Sequence, residues 1–160
     1  MRPTAALVPL LLVAACSGGG GSSGAAKVDT KKAYLAQAEA VCARGVAAQH
    51  KLVSPTSVSA FGPYVQNLVK VAGTTTTALA ALTPPAADRA TLQAKVLGPL
   101  QAQLAAALTF SADVQAATRK NDQAALGRLA LSAPTQAKAD LAFMRSYGFS
   151  SCVDAADTSN

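Results

Sequence analysis

The chain has 160 residues, enough for one domain with a core of its own, and 51% of them are apolar although aromatics make up 4% and Trp is absent. Ala and Leu with scattered Gln, Lys and Arg are strong helix formers, and no stretch alternates in the manner of a strand, so the class is all-α. Fourteen basic residues against eight acidic ones give a net charge of +6, a mild excess that suits a place beside anionic lipid or cell-wall polymer.

The first element is an export signal. Arg2 supplies a short positive start, the run from Ala5 to Val13 is apolar, and small residues close it before Cys16. At about nine to eleven apolar residues it is too short for a bilayer core of roughly 30 Å, which takes about 20 residues of helix. The residues Val13-Ala14-Ala15-Cys16 resemble a bacterial lipobox. That resemblance implies removal of residues 1–15 and a diacylglyceryl thioether on Cys16, which becomes the acylated first residue of the mature chain. Each buried CH₂ contributes about 0.8 kcal/mol, and two or more acyl chains hold a protein stably on a membrane. The alternative is an ordinary secretory signal that happens to contain a Cys. Loss of Arg2 would leave thirteen basic residues against eight acidic ones. The partner so implied is the membrane itself, on the outer face of the bacterial cytoplasmic membrane, and an exported chain is not expected to meet nucleic acid.

Residues 16–29, rich in Ser and Gly, read as a flexible tether that spaces the domain roughly 20 Å from the lipid. Lys27, Lys31 and Lys32 then lie near the head groups. Asp29 or Thr30 caps a first helix to about Leu52, with Leu35, Ala38, Val41, Cys42, Gly45 and Gln49 on one stripe. Gly45 costs about 1 kcal/mol against Ala in helix propensity, which points to a close neighbour there. His50, the only histidine, sits near the end of that helix as an exposed residue, its alternative role being a metal or haem ligand.

Ser54-Pro55-Thr56-Ser57 breaks the chain, and a second helix runs to about Leu82, with Pro63 in or near its first turn. Val65, Leu68, Val69, Ala72, Thr75, Thr76, Leu79 and Leu82 form its stripe. The run Thr74-Thr75-Thr76-Thr77 disfavours helix; it reads as small packing against an Ala-rich neighbour, or as an O-glycosylation patch. Thr83-Pro84-Pro85 turns the chain, and Pro85 starts a third helix to about Lys120, kinked at Pro99, with Leu92, Val96, Leu97, Leu100, Leu104, Leu108 and Val114 inward. Asn121-Asp122 caps a fourth, with Leu126, Leu129, Ala133, Ala137, Leu141 and Met144 inward, which Pro134 kinks or splits and Gly148 ends. Cys152 follows on a short coil, and residues 153–160 are expected to fray.

Cys42 and Cys152 remain once Cys16 is assigned to the anchor, one near each end of the folded region, 30–152. In an oxidising compartment a disulfide between them is expected, closing a loop of about 110 residues worth roughly 4–5 kcal/mol in the chain-entropy model; two free buried thiols are the alternative.

Ala40-Val41-Cys42, Pro84-Pro85-Ala86 and Tyr147-Gly148-Phe149-Ser150-Ser151-Cys152 together resemble a group of small exported lipoproteins of high-GC actinobacteria that has no assigned activity. The resemblance implies a disulfide-closed helical bundle outside the membrane and brings no catalytic residues. Pro134 and the Thr74 to Thr77 run depart from the unbroken Ala-rich helices of such proteins.

Little in the chain carries chemistry. The acids Glu39, Asp88, Asp113, Asp122 and Asp140 stand at exposed-looking positions, there is no Gly-x-Ser-x-Gly elbow beside His50, and one His with two pairing Cys falls short of a zinc set. A haem held by His50 and Met144 would want more aromatics than four Phe and three Tyr. No enzyme activity, metal or cofactor is expected. The fold expected is an antiparallel four-helix bundle with one disulfide, behind a signal peptide and tether. Its role is that of an envelope interaction or structural module, with an envelope protein or polymer as further partner. The alternative is a carrier holding a small apolar molecule between helices near Pro99 and Pro134; a large apolar pocket would favour it, a tight core the module.

Overall fold

The computed structural model describes residues 30–132 and 139–157. The segments expected as signal peptide and tether, Cys16 with them, and Ala133, Pro134 and Ala137 lie outside the described residues. Within them the chain forms seven α-helices and one π-helical turn, an all-α protein closed by the Cys42–Cys152 disulfide.

Helix α1 (Thr30–Gln49) buries Tyr34, Ala38, Val41 and Cys42, a stripe set by four-and-three spacing. Helix α2 (Val58–Ala80) begins at Ser57, whose hydroxyl accepts from the Ala60 N–H at 3.3 Å, and runs past Pro63, its sixth residue. Residues 86–88 then form turns, with Asp88 N–H bonded to the Pro85 carbonyl at 3.0 Å, so α3 (Arg89–Leu92) starts four residues later than Pro85 suggests. A π-helical turn (Gln93–Leu97) leads into α4 (Gly98–Arg119).

The kink expected at Pro99 therefore takes the form of a π turn just ahead of it. Pro99 has no N–H and its ring cannot sit over the carbonyl four residues back, that of Lys95. Widening the turn moves this carbonyl off the helix ladder, where it accepts the Asp140 N–H at 3.2 Å. Gly98 donates its N–H to the Gln93 carbonyl, and a Cβ on Gly98 would lie 2.9 Å from that same oxygen, a contact only glycine avoids.

Asn121, at φ 53°, turns the chain into α5 (Gln123–Leu131), whose first amides are capped by Asp122 accepting from Ala125 at 2.8 Å. Asp140 caps α6 (Leu141–Tyr147) in the same way through Phe143 at 2.8 Å. Gly148, at φ 115°, ends α6, with Phe149 N–H bonded to the Met144 carbonyl and Gly148 N–H to that of Arg145, the Schellman pattern. The last helix is α7 (Ser151–Asp157). The short coil expected at Cys152 is thus a helical turn, and Val153, expected to fray, is 3% exposed; packing on α1 and the disulfide hold what so short a segment could not hold alone.

The long α2 and α4 form an antiparallel pair, with Gly62 against Thr118 at one end and Gly73 against Leu104 further along. Helix α1 lies along the second half of α2, Gly45 meeting Thr75. The closest neighbour of Gly45 is a side chain, not the backbone expected. Two cores result. The larger gathers Tyr34, Ala38, Cys42, Leu79, Leu92, Val96, Met144, Phe149 and Val153; the smaller gathers Val65, Val114, Ala117 and Leu126. The expected fourth helix is two, α5 and α6, and they serve different cores: Leu126 belongs to the smaller and Met144 to the larger. Ala72 is exposed and Leu108 is 54% exposed, although both were expected inward, because α1 and α5 cover opposite ends of the α2 and α4 pair.

Candidate functional site

The described chemistry gathers at one end of the larger core, where α6 and α7 close against α1 and the turn before α3. Of its acids, Glu39 and Asp140 hold backbone and Asp88 holds the Tyr147 hydroxyl.

Glu39 reaches from the third turn of α1 to the start of α7. Its carboxylate accepts from Ser150 N–H at 2.8 Å, Ser150 hydroxyl at 2.6 Å and Ser151 N–H at 2.7 Å. Burial pushes its carboxyl up, but the hydrogen bonds from Ser150 and Ser151 outweigh this and hold it below the usual carboxylate range. Three residues on, Cys42 is joined to Cys152 with their Cα atoms 5.0 Å apart. The carboxylate and the disulfide together fasten α7 to α1 at adjacent turns.

Tyr147, buried at the end of α6, donates its hydroxyl to Asp88 at 2.7 Å, and the Lys31 ammonium lies 4.1 Å from its ring centroid. Its ring stacks on Phe149 at 5.5 Å and lies tilted against Phe143 at 5.5 Å, while Tyr34 meets Phe149 edge-on at 6.3 Å. Burial, with the Asp88 carboxylate beside it, pushes the Tyr147 hydroxyl far up, so it stays a proton donor. Asp140 accepts from Phe143 N–H and from Lys95 Nζ at 3.1 Å, which hold its carboxyl down. Lys95 also lies 5.0 Å from the Phe143 ring.

Of the residues singled out in the sequence, Cys42 and Cys152 are brought together, and Cys16 lies outside the described residues. His50 is exposed just past α1 and Met144 is 3% exposed in the larger core, so the two do not share a pocket. Four of the five acids are committed: Glu39 to α7, Asp88 to Tyr147, and Asp122 and Asp140 to the helices they cap. In the threonine run Thr76 is buried, and Thr74 and Thr75 return their hydroxyls to the carbonyls of Lys70 and Val71. Among the described residues no three His, Cys, Asp or Glu stand together as for a metal ion, and no helix is long and apolar enough to cross a membrane.

Among the described residues, two of the surface grooves open to solvent have charged or apolar walls. One of about 330 Å³ lies between α4 and α5, with Asp113, Lys120, Asp122 and Arg128 on its walls. The other, about 560 Å³, runs between α2 and α4 along Val69, Gly73, Leu104 and Leu108. Neither is at Pro99.

What sequence reasoning missed are the long-range partners, Glu39 with Ser150, Tyr147 with Asp88 and Lys95 with Asp140. A local trace existed only for Asp140, which stands at N-cap spacing before Phe143. No family model, characterised protein or solved structure matches the chain.

Proposed function

We propose that this protein is a non-enzymatic lipoprotein of the bacterial cell envelope: the signal formed by residues 1–15 is removed, Cys16 carries a diacylglyceryl anchor on the outer face of the cytoplasmic membrane, and residues 16–29 tether an interaction or structural module. The observation that carries the reading is the distribution of the three cysteines. Cys42 and Cys152 pair within the core, which fits an oxidising compartment, and leave Cys16 as the one thiol for the lipid at a lipobox-like site. The commitment of Glu39, Asp88, Asp122 and Asp140 to holding backbone and side chains supports a module over a hydrolase. An envelope protein or polymer is its further partner, and nucleic acid is not.

The carrier reading has one observation in its favour, the groove of about 560 Å³ between α2 and α4. Sites for small apolar molecules enclose most of the ligand's surface, and this groove is open along its length. Expression of the Cys16→Ser chain beside the unaltered one tests the anchor. The unaltered protein should partition with membranes and the variant should appear in the medium; a variant that stays with the membrane fraction removes the anchor reading.

A further inference from the structure

Thr75 of α2 meets Gly45 of α1, and Asp113 and Ala116 of α4 line the groove shared with α5. Thr74 and Ala112, each one residue earlier than Thr75 and Asp113 and so about 100° round its helix, line the groove of about 560 Å³, whose walls come from α2 and α4 alone. Val69 and Gly73 stand one turn apart on one wall, and Leu104, Leu108 and Ala112 follow at the same step on the other. Leu104 and Leu108 continue a core pattern that begins at Leu100, which packs on the larger core. Yet Leu108 is 54% exposed at the midpoint of α4, whereas the other large apolar residues exposed among those described, Val53, Val58 and Leu131, lie in a turn or at helix ends. Lys70 is the one ionisable side chain on the walls, and among the described residues it has no ion-pair partner. Helix α2 carries no Asp or Glu, and α4 carries no charge from Gly98 to Ala112.

We propose that this groove takes an amphipathic helix of another envelope protein, its apolar stripe on Leu104 and Leu108 and a carboxylate on Lys70. The inference rests on the interaction-module reading and names the partner's chemistry. The walls are helices whose backbone hydrogen bonds are already made, so an extended segment finds nothing to pair with, whereas a helix brings its own bonds with it. From Leu104 to Gln115 the groove runs about 16 Å, three turns of such a helix. A symmetric pair of copies of this chain fits worse. It would set Lys70 near Lys70 across the axis, on chains that each carry a net charge of +6.

The test places a photo-crosslinking residue at Leu108 of the full chain, and in a separate chain at Leu131, and irradiates the cells that make the protein. Peptide mass spectrometry reads what is joined at each position. Leu108 should give a peptide of another envelope protein with apolar residues three and four apart and an Asp or Glu beside them, and Leu131 should not. Lys70→Glu should cut that yield at least about fivefold and Lys70→Arg should keep it. A yield that survives Lys70→Glu, or a joined peptide without that pattern, overturns the acidic helix. A peptide from a second copy overturns it in favour of a homodimer, and a lipid adduct in favour of the carrier. A protein joined at Leu131 and none at Leu108 overturns the groove while leaving the module reading, and no protein at either position overturns both.

Discussion

The backbone N–H of Asp140 donates to the carbonyl of Lys95 at 3.2 Å, and the Lys95 ammonium returns to the Asp140 carboxylate at 3.1 Å. The pairing joins residues 45 positions apart. Pro99 frees the Lys95 carbonyl from the helix, and the start of α6 takes it up. Because Gly98 makes room for the π turn against the Gln93 carbonyl, Gly98→Ala should lower the melting temperature and Pro99→Ala should let α4 extend regularly toward α3. Hydrogen exchange on the Pro99→Ala chain checks this: the amide of Asp140 should lose protection as its acceptor returns to the helix ladder. Unchanged protection would mean the π turn is held by packing alone.

Glu39 makes stability depend on pH. Its carboxyl titrates lower in the folded chain than the ordinary 4.5, so its contribution is present above the unfolded value and is lost as pH falls through the folded one. Glu39→Gln should cost about 1 kcal/mol near pH 7, a figure kept low because the group is partly exposed. Urea unfolding at neutral pH and at about pH 3 should show the gap between the two proteins closing in acid.

The disulfide spans 110 residues, a separation worth about 4–5 kcal/mol in the chain-entropy model. The Cys42→Ser, Cys152→Ser double variant should lose about 2–5 kcal/mol in urea unfolding, the range found for native disulfides. Exchange at the α7 amides should rise more than at α2, since α7 depends on α1 for its hold.

Gly45 and Thr75 form a tight crossing. A Cβ at Gly45 would lie 2.5 Å from Thr75 Oγ1 and 3.1 Å from its Cγ2, and a β-branched side chain has little freedom to turn away. Gly45→Ala should destabilise by about 1–2 kcal/mol, the overpacking exceeding the helix-propensity gain of about 1 kcal/mol. Adding Thr75→Ala should recover much of the loss, and thermal melts of the two single variants and the double variant give the coupling.

Parts of this were legible in the sequence for local reasons. The spacing of Ala38, Val41 and Cys42 sets the face of α1, although Tyr34 is buried there and the expected Leu35 only partly so; Asp122 announces a helix start, and Gly148 announces an end. The all-α class follows from composition, and the pairing of Cys42 with Cys152 from their count and the oxidising compartment expected for the chain. What stayed hidden depends on tertiary contact. Helix α7 has weak propensity and seven residues, so its helicity comes from Glu39 and the disulfide. The π turn needed the carbonyl of Lys95 to find Asp140. Leu126 and Met144 share a helical period, yet they part between two cores because α5 and α6 are separate helices. Of the candidate site only the cysteines could be named beforehand, since Tyr147 and Asp88 meet across 59 residues.

Intact mass spectrometry of the chain extracted from the membranes of the cells that make it, with a reduced and alkylated sample alongside, tests the anchor on Cys16 directly. The predicted result is a chain beginning at Cys16, heavier by a diacylglyceryl group and further acyl, lighter by two hydrogens for Cys42–Cys152, and gaining two alkyl groups only after reduction. A chain that keeps residues 1–15, or one whose Cys16 is taken up by the alkylating reagent without reduction, would contradict the anchor.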